Sequence, residues 1–266
     1  MPPRLTPVGA AGHPVPMKRS SVAAGLLGLV LPAACAPDPA PVPDAPSVLV
    51  FSRTAGYRHA SIEPGIEAIR EIGQADGFEV VATEDPSVFG PVELRRFAAV
   101  VFLSTTGDVL DDAQQEVFED YIRAGGAFVG IHAAADTEFD WPWYGRLVGG
   151  WVAGHPNDPN VREGVLRVAD PGHPSTESLP DPWVRRDEWY DYGDLAPGLG
   201  VLLEVDERSY KRPEEGPAPS PRPIAWYHEF DGGRAWYTGL GHTSESFGEA
   251  AFVGHLRGGL RYALGR

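Results

Sequence analysis

Two histidines stand where a fold could use them. The apolar run Ser47-Val48-Leu49-Val50-Phe51 leads into Arg53-Thr54-Ala55-Gly56-Tyr57-Arg58-His59, and Ala127-Phe128-Val129-Gly130-Ile131 leads into His132-Ala133-Ala134-Ala135-Asp136. Between them, the apolar run 98–104 leads into Thr105-Thr106-Gly107-Asp108. Histidine titrates near neutrality, so it can serve as general base, general acid or neutral metal ligand. A single histidine is more commonly a hydrogen-bonded structural residue. Three polar segments, each following a strand-like run, are a stronger signal. In open α/β sheets, sites form outside the carboxyl ends of the parallel strands.

Other chemistries lack their parts. Gly130-Ile131-His132-Ala133-Ala134 has the layout of a nucleophile elbow, a sharp turn from strand into helix that presents one side chain. Class I glutamine amidotransferases place a cysteine there; here the residue is histidine, and the chain's only cysteine is Cys35. With no Gly-x-Ser-x-Gly either, amidotransferase and α/β-hydrolase chemistry are both excluded. No His-Glu-x-x-His, P-loop or dinucleotide fingerprint is present; Gly56 and Gly65 do not make a dinucleotide loop.

The elements that must position these residues follow from periodicity. Residues 47–51, 78–82, 98–104 and 127–131 read as buried strands. Ile62, Ile66, Ile69 and Ile72 fall on one face of a helix over 61–76, with Ser61 placed to cap it and Pro64 in its first turn. A second helix spans 111–124, with Val117, Phe118, Tyr121 and Ile122 on its core face and Gly125-Gly126 ending it. Strands alternating with helices predict an α/β domain with a parallel, doubly wound sheet. The second half differs: strands at 164–168, 201–205, 224–230 and 234–238 have no long helix between them, predicting mixed or antiparallel additions. Asp231-Gly232-Gly233 joins the last two as a hairpin, and a helix over 247–263 closes the chain, docking Phe252, Leu256 and Leu260. Residues 213–223 read as a surface loop.

The motifs together resemble the ThuA-like family. These are Gly56-Tyr57-Arg58-His59, Thr106-Gly107-Asp108, 130–136, the run Trp141-Pro142-Trp143-Tyr144 through Gly150, His155-Pro156, His173-Pro174, Asp187-Glu188-Trp189-Tyr190, and 239–245. The resemblance covers about residues 47–264. It implies a flavodoxin-like, class I glutamine amidotransferase-like fold without the amidotransferase cysteine. It also implies a role in the utilisation of trehalose and related disaccharides, in pathways where a sugar is first oxidised to its 3-keto form and then cleaved or reduced. Asn157-Asp158-Pro159-Asn160 departs from a family pattern that often has glutamine close behind His155-Pro156.

On this basis His59, His132, His155, Glu188 and His242 are expected around one pocket. His132, Glu188, His59 and His242 are the catalytic candidates. Asp108, Asp136, Trp141, Trp143, Tyr144 and His155 are candidates for binding substrate, the aromatic trio as a platform for sugar rings; the alternative is that these aromatics are core. Three or four histidines from among His59, His132, His155 and His242, with a carboxylate, would suit a divalent metal such as Zn, Mn or Ni by ligand type, though their spacing matches no compact metal motif. Trp183, Trp189, Trp226 and Trp236 read as core, and His173 as a residue that orders its loop. Asp187 and Glu188 could point to opposite sides of a strand, leaving only one at the pocket.

The amino-terminal segment reads as an export signal. Met17, taken as the translation start, is followed by Lys18 and Arg19 and then by an apolar run over 22–31, too short to span a bilayer. Leu31-Pro32-Ala33-Ala34-Cys35 resembles a lipobox, with Pro32 where leucine is usual, which makes Cys35 the expected lipidation site and the end of a signal peptide over 1–35. Alternating prolines over 36–46 form a semi-rigid tether, and 47–266 form the ThuA-like domain. Residues 1–35 contain three basic residues and no acid, so the net charge of −15 becomes −18 without them. That field disfavours nucleic acid and anionic lipid as partners. The expected protein is an exported membrane lipoprotein, or a secreted one if unlipidated. It acts on a glycoside or 3-keto-sugar by hydrolase- or lyase-type chemistry, beside a sugar oxidoreductase. The alternatives are a carbohydrate-binding lipoprotein without catalysis and a scaffold.

Overall fold

A computed structural model describes residues 45–216 and 221–266. The export segment, Cys35 and the tether up to residue 44 lie outside the described residues.

The first half alternates as expected: β1 (Ser47–Phe51), α1 (Ile62–Asp76), β2 (Glu79–Thr83), β3 (Phe97–Leu103), α2 (Asp112–Arg123) and β4 (Ala127–Ile131). Then come α3 (Pro142–Val148), β5 (Val152–Gly154), β6 (Val161–Val168), β7 (Trp183–Glu188), β8 (Asp191–Tyr192), β9 (Gly200–Asp206), β10 (Arg222–Phe230), β11 (Gly233–Thr238) and α4 (Ala250–Ala263). The main sheet has nine strands in the order β2-β1-β3-β4-β11-β10-β9-β6-β7. From β2 to β11 all neighbours are parallel, the flavodoxin-like order, with β11 arriving from the far end of the chain as fifth strand. From β11 to β7 all are antiparallel. Thus β10, β9, β6 and β7 of the second half continue the same sheet, while β5 and β8 pair antiparallel in a separate two-stranded sheet.

Period-two alternation divides the parallel strands between two cores. Val48, Val50, Val101, Leu103, Val129 and Ile131 face α1 and α4. Leu49, Phe51, Val100, Phe102 and Phe128 face α2 and α3. Each such fully buried side chain contributes about 1.5–3 kcal/mol of transfer free energy, so the parallel half forms a rigid base for its loops.

Local chemistry sets the ends. Asp111 and Gln114 form a reciprocal capping box at α2. Ser61 occupies the cap position of α1 but does not cap it: its backbone is helical (φ −80°, ψ −5°), and a capping hydroxyl requires an extended residue to reach the free N–H groups. The closing helix starts at Ala250 rather than 247, because Thr243 caps a separate 3-10 turn over Ser244–Gly248. The short α3 and the strands β5, β7 and β8 were not predicted. Among the described residues, no helix is long and apolar enough to cross a membrane.

Candidate metal and sugar site

The loops after β1, β4 and β11 and the end of β7 deliver His59, His132, His242 and Glu188 to one point. One ligand atom from each lies within 4.8 Å of the others. His155 is not among the four. Its Nδ1 lies 3.4 Å from Glu188 Oε1, on the outer side of that carboxylate. Of the histidines expected to suit a metal, three thus meet here with one carboxylate, and His155 stands beside the four.

His132 is the most constrained member. It turns the chain out of β4 at φ 52°, the left-handed backbone of an elbow, which costs on the order of 1–3 kcal/mol in a non-glycine residue. Tyr237 Oη donates to its carbonyl (2.9 Å), and the Tyr190 ring stacks on its imidazole with centroids 4.5 Å apart. The Gly239 carbonyl lies 2.9 Å from its Nδ1 and can only accept, so Nδ1 carries the proton. The Nε2 lone pair is thereby turned into the cluster, where it meets His242 Nδ1 at 3.2 Å, Glu188 Oε2 at 3.4 Å and the Tyr190 hydroxyl at 3.1 Å.

Asp187 and Glu188 both serve the site, although they are adjacent on β7. Glu188 Oε2 lies 3.1 Å from His242 Nδ1, and Asn160 Nδ2 donates to Oε1 at 2.7 Å. Asp187 is fully buried and accepts from the backbone N–H groups of Glu188, Gly241 and His242 at 2.9–3.0 Å, fixing the loop that carries His242. Arg185 pairs with it at 3.1 Å. Asn160, Tyr190 and Asp187 join the site beyond the candidates that residue type and spacing indicate. Tyr190 and Asp187 lay within the motif around Glu188, and Asn160 within the segment that departs from the family pattern.

Electrostatics follow from this packing. Burial opposes ionisation of Glu188, but hydrogen bonds with His132 and His242 outweigh it and hold the carboxyl well below its ordinary range. Burial works against a charged His242, yet the Glu188 hydrogen bond and charge raise its pKa. Burial, with His132 and His242 nearby, pushes His59 down to about 3, so this ring is neutral. Its Nδ1 is buried and has no hydrogen-bond partner among the described residues. One ligand atom from each of the four is near enough to the others to share a cation, and three imidazoles with one carboxylate fit a divalent transition metal.

The remaining candidates divide sharply. Asp136 and His155 line a cavity of about 260 Å³ with Val152, Ala153, Gly154 and Tyr190. Two of its walls, Tyr190 and His155, touch the cluster directly. Burial raises the pKa of Asp136. Asp108 is exposed, beyond the bridge that pairs Gly107 with Thr137. Trp141, Trp143 and Tyr144 are not a platform: they pack into the core beneath α2 and α3 at 7%, 7% and 0% exposure. Pro142 starts α3 at that point and turns all three rings onto Phe118 and Phe102. Their polar atoms are used as well, on Glu119, Asp231 and the Ala134 carbonyl. His173 orders its own loop, hydrogen-bonding Ser175 through Nδ1 while its carbonyl accepts from Thr176 N.

Known proteins share this architecture. A ThuA-like protein from Bacteroides uniformis superposes with a TM-score of 0.68 at 23% identity, over 85% of this chain and 94% of its own. One from Parabacteroides merdae gives 0.63 at 21% identity, over 84% and 91%. A β-galactosidase from Bacillus circulans sp. alkalophilus gives 0.54 at 14% identity, over 84% of this chain but 31% of its own. At these identities the likeness shows the fold. No curated protein matches the chain. The family model described as ThuA, trehalose utilisation, matches residues 47–263, and the chain belongs to that family of carbohydrate utilisation.

Proposed function

We propose that this is an exported enzyme that cleaves a glycoside or 3-keto-sugar, with His59, His132, Glu188 and His242 holding a divalent metal ion. The observation that carries the reading is their convergence within 4.8 Å, beside a polar cavity at the carboxyl ends of the parallel strands. Zn, Mn or Ni suits the donor set. When bound, the ion supplies Lewis-acid stabilisation of developing negative charge.

His132 then acts as a ligand and not as a base, because its one unprotonated nitrogen faces the cluster. Proton handling passes to the cavity groups Asp136 and His155. On a 3-keto-glycoside, the base removes the proton at C2. The electron pair shifts through the adjacent ketone and expels the glycosidic oxygen from C1, which takes a proton from the acid. Water then adds at C1 and C2 regains a proton, completing hydrolysis. A sugar oxidoreductase that makes the 3-ketone is the partner this route requires. Cys35 anchors the domain to the outer face of a membrane or in the periplasm, its lipidation being testable by mass spectrometry and by release of Cys35→Ala.

The test combines metal analysis of the purified protein with a screen of 3-keto-disaccharides. Bound metal near one equivalent, with turnover abolished in folded His132→Ala, is the expected result. Sugar binding without turnover, unchanged in His132→Ala, replaces the enzyme with a carbohydrate-binding module. Absence of both sugar binding and turnover leaves a scaffold.

A further inference from the structure

Tyr190 belongs to two places at once. Its hydroxyl lies 3.1 Å from His132 Nε2 in the cluster, and the residue is also a wall of the cavity that Asp136 and His155 line. The ring cannot swing between the two. It is buried, stacked on the His132 imidazole at 16° with centroids 4.5 Å apart, and met edge-on by Tyr192 at 6.3 Å. Rotation about its C–O bond is what remains to redirect the O–H.

The direction of the Tyr190 hydrogen bond is set by the other partners of His132. With its proton on Nδ1 toward Gly239, His132 has one acceptor lone pair, on Nε2, and Tyr190 donates to it. His242 Nδ1 lies 3.2 Å from the same nitrogen, but it has a charged and therefore stronger acceptor in Glu188 Oε2 at 3.1 Å. Nε2 is also the nitrogen that His132 has left for a metal shared with His59, Glu188 and His242. One lone pair cannot serve both a hydroxyl and a metal ion. Occupation of Nε2 by a metal releases the Tyr190 O–H, and a released donor in a buried site needs a new acceptor. The cavity that Tyr190 lines can supply one, in an oxygen of a bound sugar.

We infer that the Tyr190 hydroxyl is exchanged between two acceptors: it caps His132 Nε2, and when a metal takes that lone pair it donates instead to the ketone oxygen of a 3-keto-sugar in the cavity. This rests on the metal and carbohydrate readings proposed above. It adds to them a donor aimed at the oxygen on which negative charge grows as the C2 proton leaves. Tyr190 gives up no proton in that step; its O–H stays intact while the hydrogen bond strengthens. Metal and sugar are thereby coupled, each tightening the other by the same factor.

The experiment measures two affinities on the full chain, for wild type and Tyr190→Phe. Zinc is titrated in competition with a chelating dye. Binding of 3-keto-glucose, which has no glycosidic bond to cleave, is followed by calorimetry with and without zinc. Phenylalanine keeps the stacked ring and removes only the hydroxyl. Zinc is expected to bind Tyr190→Phe more tightly by roughly 2–10-fold, the worth of one neutral hydrogen bond that no longer competes for Nε2. The sugar is expected to bind the zinc-loaded variant more weakly by roughly 2–10-fold, with its zinc-free affinity unchanged. A merely structural hydroxyl does not move the two affinities in opposite directions. Zinc affinity that is unchanged or lowered in Tyr190→Phe overturns the exchange and leaves the metal reading standing. An equal loss of sugar affinity with and without zinc overturns it as well. A wild type that binds no zinc overturns the exchange and the metal reading together, and one that binds zinc but no 3-keto-glucose overturns the donor role together with the carbohydrate reading.

Discussion

Asp187→Asn tests how the site is held together. Asp187 accepts three backbone N–H groups, two of them from the loop that carries His242, and neutralises the buried Arg185. An asparagine keeps one acceptor oxygen and turns an N–H₂ group toward groups that are all donors. At least one backbone N–H then loses its partner, at a cost of about 1–3 kcal/mol. Breaking a buried ion pair costs about 3–5 kcal/mol, but Arg185 retains Glu249 at 3.4 Å and the Ser246 hydroxyl at 2.8 Å. The two costs share the same groups and do not add, so about 3 kcal/mol is expected. For a domain of this size that lowers Tm by roughly 6–12 °C, read by thermal unfolding of the metal-free protein. The Gly239 carbonyl that sets the His132 tautomer belongs to the same loop. Metal affinity at saturating folded protein should therefore fall by about 10–100-fold, as for other supporting partners of metal ligands. A Tm within about 2 °C of wild type would refute the energetic reasoning. A large Tm loss with unchanged metal affinity would refute the positioning role.

Three further outcomes are expected. His59→Phe removes a buried nitrogen that has no hydrogen-bond partner among the described residues, so the metal-free protein should be no less stable in urea, whereas zinc affinity should fall by about 100-fold or more. His255 is fully buried between the Ser175 carbonyl and Thr238, and burial lowers its pKa to about 3. The unfolded chain binds this proton below about pH 6.5 and the folded one does not, so the residue costs stability as pH falls from about 6.5 toward 3, by up to about 1.4 kcal/mol per pH unit; urea titrations of His255→Gln should show a shallower loss between pH 6 and 4, and an unchanged slope would refute this. Trp143→Ala should cost about 3–5 kcal/mol of stability as a core truncation and leave the sugar affinity of the folded protein unchanged, whereas a selective loss of sugar binding would restore the platform to α3.

What was legible in the sequence was what local patterning controls. The isoleucine face of α1, the apolar runs of β1, β3 and β4 and the core face of α2 with its Gly125-Gly126 stop each follow from side-chain period and backbone chemistry. They place His59 and His132 at strand ends without reference to the rest of the chain. Glu188 and His242 were also named, through their motifs. The segment β7 was hidden because its buried positions include Arg185, Asp187 and Glu188, and a strand whose inward side chains are charged has no apolar alternation to read. Which residues share a metal-sized space, His155 or Glu188, depends on side-chain reach across strands that only the sheet order brings together. The aromatic residues make the same point in the opposite sense. Trp141 and Trp143 are buried and Phe139 is exposed because Pro142 begins a helix whose inward face is fixed by α2 and the sheet, and exposure is a property of that packing, which neither residue type nor spacing encodes.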